Sequence, residues 1–110
     1  MGIYRVFTGP DEETHIEELD PQQHPELGSF RNVAEISIHH YQELRAMDFH
    51  PLSERRLIIH LSGEVEIGVS DGNKQIFRAG DVRLMEDTTG PGHTHRDLSP
   101  TAAAVVLLND

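Results

Sequence analysis

Histidine is the residue type in this chain best suited to chemistry, and it occupies eight of 110 positions. Four of the eight fall in two segments flanking a glycine-punctuated hairpin. The first reads His50-Pro-Leu-Ser-Glu-Arg-Arg-Leu-Ile-Ile-His60-Leu-Ser-Gly63. The second reads Gly80-Asp-Val-Arg-Leu-Met-Glu-Asp-Thr-Thr-Gly-Pro-Gly-His93-Thr-His95. Neutral imidazole nitrogen is a good donor to Zn, Ni, Cu or Fe, and three such ligands with open positions make a reactive centre. Residues two apart on a strand share a face. Arg56, Ile58 and His60 therefore point one way, and so do His93 and His95. The spacing predicts one cavity lined by His50, His60, His93 and His95, with Arg56 and Ile58 among them.

Arg56 complicates a metal site. A guanidinium keeps its charge and repels a cation, and burying it alone is costly. It either pairs with a carboxylate such as Glu86, binds an anionic ligand, or turns outward if the register slips by one residue. Glu86-Asp87 is the other polar cluster. Beside the histidines, Glu86 would serve as an extra ligand, a partner to a ligand or a general base; at a strand end the pair is a solvated turn. His39 and His40 are neighbours facing opposite ways, so at most one looks inward. His15 and His24 lie in a polar, acidic stretch and are expected in solvent.

The elements that must position these residues are short strands. Ile3 to Phe7 reads as a strand stopped by Gly9-Pro10. Residues 11 to 27 are polar and interrupted by Pro21 and Pro25, a loop with a turn of helix or a short strand around His15 to Leu19. Ala34, Ile36 and Ile38 alternate with polar residues, the period of a half-buried strand. Leu57 to Leu61 is apolar and β-branched, and Val65, Ile67 and Val69 alternate again. Ser70-Asp71-Gly72-Asn73 is a hairpin turn, followed by Gln75 to Arg78. Val82 to Met85 follows the tight turn Ala79-Gly80-Asp81. His50 precedes a proline, so its backbone is extended and it opens a strand. Gly90-Pro91-Gly92 fixes the loop before His93. Ala102 to Leu108 is nearly all apolar, which predicts cover on both faces. Seven to nine strands with turn signals every 8–12 residues predict one all-β domain, a sandwich or barrel.

Composition narrows the function. The formal charge is -10, and residues 8 to 30 carry seven acids without a Lys or Arg. Such a surface repels phosphate backbones, so nucleic acid is not the expected partner; the run is a solvated face or a docking site for a basic partner. There are no cysteines, which excludes thiolate and disulfide chemistry. No apolar run reaches membrane-span length, and the N-terminus lacks a secretory pattern. The expected location is the cytoplasm.

The two histidine segments resemble the paired motifs of the cupin superfamily, G-x5-H-x-H-x(3,4)-E-x6-G and G-x5-P-x-G-x2-H-x3-N. The resemblance spans roughly residues 36 to 108. Gly63 matches the closing glycine of the first motif, Arg56 stands at its glutamate, His50 at its first histidine and Leu52 at its second. Gly80 opens the second motif, with Glu86 at the proline and Thr88 at the glycine. Pro91 stands at the histidine, and a two-residue insertion around Thr88-Thr89-Gly90 brings His93 there. Asp97 lies nearest the terminal asparagine. Similarity is greatest to small single-domain cupins of unassigned activity.

The resemblance implies a double-stranded β-helix (jelly-roll) barrel and one of two functions. In the first, His50, His93, His95 and His60 hold a divalent transition metal (Zn, Ni, Fe, Mn or Cu). The protein then acts on a small polar metabolite as an oxygenase, isomerase or lyase. In the second, the chain is a metal-free module that binds a small anion through Arg56. Analogy with small cupins also implies a homodimer, with the N-terminal segment covering an open sheet edge.

Overall fold

The computed structural model describes residues 1–109. Among them the chain forms ten strands and one short 3-10 turn: β1 (Ile3–Thr8), β2 (Thr14–Glu18), β3 (Val33–Tyr41), β4 (Ala46–His50), β5 (Arg56–Ser62), β6 (Val65–Gly68), β7 (Lys74–Phe77), β8 (Val82–Glu86), β9 (His93–Asp97) and β10 (Thr101–Leu108), with the turn at Pro25–Gly28. They make a six-stranded sheet in the order β2-β1-β8-β5-β10-β3 and a four-stranded sheet in the order β4-β9-β6-β7. The sheets are open, so β3 and β4 are free edges. No helix among the described residues is long and apolar enough to cross a membrane.

Hydrophobic alternation marks most strands. β6 turns Val65 and Ile67 inward onto Phe77 of β7, and the turn between them puts Gly72 at φ 93°. β8 alternates Arg83 and Met85 on the inner face with Leu84 on the outer. Gly63 sits at φ 80°, and a Cβ there would lie 2.1 Å from the Pro100 carbonyl oxygen. Only glycine allows that crossing of the β5–β6 and β9–β10 connections.

The short strand expected as one alternative around His15 to Leu19 is present as β2, which covers the edge of β1 in the same chain with Val6 opposite Ile16. Three features differ from the sequence expectation. His50 ends strand β4 instead of opening a strand. β4 and β9 are strands rich in polar residues, so hydrophobic periodicity is silent about them. β10 is central, between β5 and β3, yet its residues 102–107 are only half-buried. Its inner residues Ala103 and Val105 pack on the cluster around Ile58 and Met85 but also border a cavity, and its outer face is partly in solvent, where Ile36 and Ile38 of β3 are also exposed.

Candidate functional site

A cavity of about 340 Å³ opens between the two sheets. It exists because β10 presents small side chains inward: Thr101, Ala103 and Val105 line it. On the same sheet, Ile58 of β5 and Met85 of β8 continue the wall, which with Leu52 is aliphatic. The polar groups come from β3, β4, β8 and β9, and they form three distinct constellations.

The first is closed on itself. Arg45 donates from Nε to Asp97 Oδ2 at 2.8 Å and from its backbone N–H to the same oxygen at 3.1 Å. Its guanidinium lies 3.6 Å above the Tyr41 ring, a favourable cation–π geometry. His95 donates from Nε2 to Asp97 Oδ1 at 2.7 Å. Burial would raise the pKa of Asp97, but the hydrogen bonds from Arg45 and His95 outweigh it and hold the carboxyl below its usual range. His95 is pushed down to about 4, first by burial and also by the Arg83 charge, against the pull of Asp97. The ring is neutral at pH 7, which agrees with donation from one nitrogen only.

The second constellation is open. Arg83 is 5% exposed. Its Nε donates to His60 Nε2 at 2.9 Å, and Nη1 lies 3.5 Å from the Met85 sulfur. Among the described residues, no carboxylate forms an ion pair with it. Burial, followed by repulsion from Arg45, lowers it to about 9, still well above neutrality, so the guanidinium is charged. His60 stacks on Phe77 at 5.4 Å and is pushed down to about 3 by burial and then by Arg83. A neutral imidazole accepting from Arg83 orients the guanidinium without neutralising it.

The third constellation is a pair of imidazoles. His50 and His93 are register partners on β4 and β9, with ring centroids 4.7 Å apart. Gly92 permits this approach: at φ 75° it packs so closely that a Cβ would sit 1.9 Å from the His50 carbonyl oxygen. His93 Nδ1 donates to Asp87 Oδ2 at 2.5 Å, and both residues are buried. The other Asp87 oxygen, Oδ1, has no partner. His50 Nδ1 donates to the Asp48 carbonyl at 2.8 Å. These partners engage Nδ1 of each ring and leave Nε2 as the nitrogen that each ring can offer a ligand.

The sequence-predicted residues divide accordingly. His50, His93, His95, Arg56 and Ile58 all line the cavity, whereas His60 sits behind Arg83. His39 faces inward and His40 outward. His15 and His24 are partly exposed and paired with Asp11 and Glu26. Glu86 is a correction: it does not line this cavity. Met85 takes the inward position of β8, so Glu86 points to the outer face, where it pairs with Arg5 at 2.5 Å and with Arg55. Arg56 is half-buried at the rim, and its Nε donates to the Glu54 carbonyl at 3.3 Å.

The four-histidine ligand set is not assembled. The Nε2 atoms of His60 and His95 are committed to Arg83 and Asp97. Among the described residues, no group of three or more His, Cys, Asp or Glu side chains is arranged to hold one metal ion. The donor chemistry of the cavity therefore does not fit a multi-histidine metal centre. Sequence reasoning missed Arg83 and Arg45. The signal for Arg83 was present, because it shares the inward parity of Met85. Arg45 lies in a polar link before β4 with no periodicity to reveal it.

No protein-family profile matches the chain, and no curated protein matches it. Solved structures do. An RmlC-like cupin protein from Desulfovibrio desulfuricans is similar at TM-score 0.52 and 18% identity, over 73% of this chain and 76% of that one. A Salmonella typhimurium structure named as ethanolamine utilization protein Q is similar at TM-score 0.53 and 14% identity, over 98% of this chain and 95% of that one. Identities this low speak to the architecture alone. With its two facing sheets and the cavity between them, this chain has the jelly-roll fold of the RmlC-like cupins.

Proposed function

We propose that this protein is a small cupin-fold binding module whose cavity takes a small organic anion, with Arg83 as the anchor. One observation carries the reading: a buried guanidinium that faces the cavity and, among the described residues, forms no ion pair with a carboxylate, although the chain holds 19 acids against nine cations. A lone buried charge costs several kcal/mol. A carboxylate entering the cavity would supply the missing partner and form charge-assisted hydrogen bonds in a low-dielectric setting. Arg56, at the rim, adds to the attraction.

Isothermal titration of short carboxylates into the protein tests this. Binding is expected, and Arg83→Met should abolish it, with Arg83→Lys retaining a weakened site. Binding of equal strength in the wild type and Arg83→Met would remove the basis of the reading.

A second reading keeps a metal at the His50–His93 pair, supported by the two free Nε2 lone pairs and by Asp87 behind His93. Two imidazoles alone would make a weak, open site. Zinc titration followed by NMR would show selective shifts of His50 and His93 if this reading holds.

A further inference from the structure

We infer that the preferred ligand carries two anionic groups: a short dicarboxylate held at one end by Arg83 and at the other by Arg56. This rests on the anion reading above and narrows it to a ligand class.

The first support is the distribution of ion pairs. Among the described residues, Arg5, Arg45, Arg55, Lys74, Arg78 and Arg96 each have a carboxylate partner. Two of the cations without one, Arg56 and Arg83, line the same cavity. The acids outnumber the cations about two to one, so scarcity of carboxylates does not explain this.

The second support is register. On the paired strands β5 and β8, Arg56 is opposite Met85 and Ile58 is opposite Arg83. The two arginines are thus diagonal neighbours on one inner face, with backbones about 7–8 Å apart. Ile58 and Met85 occupy the other diagonal and offer an apolar surface between them. That sequence of charge, apolar strip and charge matches two carboxylates separated by a few methylenes. The cavity volume is at the small end for ligand sites, which favours a short molecule. Glu35 also lines the rim, but it stands on β3, two strand spacings or about 10 Å from Arg56 across Leu107. It makes no ion pair among the described residues and leaves Arg56 available.

Calorimetric titration of the full chain with two matched series provides the test. Succinate, glutarate and adipate carry two carboxylates; butanoate, pentanoate and hexanoate are their one-carboxylate counterparts. At least one dicarboxylate should bind about ten-fold or more tightly than its counterpart, the gain expected of an added charge-assisted contact. Arg56→Gln, at a half-buried rim position, should erase that advantage, so that each dicarboxylate binds the variant no more tightly than its one-carboxylate counterpart does. Equal binding of the two series, or an advantage that survives Arg56→Gln, would overturn the dicarboxylate assignment while the anion reading stands. Failure of both series to bind the wild type would overturn both.

Discussion

Arg45 and Arg83 face one cavity, yet their surroundings differ in kind. Arg45 is stacked on Tyr41 and tied to a buried carboxylate that also holds His95. Arg83 is more deeply buried; it touches a neutral imidazole, a thioether and the Phe77 ring, while Asp87 and Asp97 attract it without forming an ion pair among the described residues. The first arrangement is complete without a ligand and braces the link between β3 and β4. The second lacks its counter-charge. The contrast separates a guanidinium paired within the fold from one that the proposed function assigns to a ligand.

The largest expected effect breaks the complete side of this comparison. Asp97→Ala strips acceptors from Arg45 and His95 and should destabilise the fold by about 3 kcal/mol, measured by urea unfolding. Added acetate should recover part of that loss by re-pairing Arg45. No loss of stability would mean the Arg45–Asp97–His95 cluster does not support the fold.

Arg83→Met acts on the incomplete side and should have the opposite sign. Removing a lone buried charge in favour of a flexible apolar side chain should stabilise the ligand-free protein by about 1–3 kcal/mol while ending anion binding. Stability below wild type would show that Arg83 already has its compensation within the chain.

The same two regions predict a pH dependence. His60 and His95 are held at about 3 and about 4 in the folded protein against 6.5 for a free ring. Their folded values are depressed, so the unfolded chain binds more protons between these limits. Their contribution is full above about pH 6.5 and falls as pH drops toward 4. The midpoint temperature should decline over this window, with about two protons taken up on unfolding near pH 5. His60→Gln should flatten the slope by about one proton.

The smallest expected effect concerns the outer face. Glu86→Gln weakens its contacts with Arg5 and Arg55 and should cost about 1 kcal/mol or less, as partly exposed pairs do. Anion binding should be unchanged, since Glu86 points away from the cavity. A change in affinity would contradict that placement.

The alternating strands β3 and β6, the apolar run of β5 and the turn-bounded β8 were legible because each signal is local to its segment. So was the inward parity of Arg56, Ile58 and the pair His93 and His95. β4 and β9 were harder to read, since their polar residues serve the cavity and leave no hydrophobic period. Glu86 was misplaced because its parity with Met85 was not applied, although that information lay in the same five residues.

Sequence alone determined the all-β class, most turn positions, the excess of acid and which residues of a strand share a face, because these follow from chain-local geometry and composition. Tertiary structure alone decided which nitrogen of which histidine is already engaged, and which arginine found a carboxylate. Those outcomes depend on cross-strand pairs such as His60 with Arg83 and Arg45 with Asp97, 23 and 52 positions apart. Strand alternation says which way a side chain points, but only the register between distant strands says what it meets there.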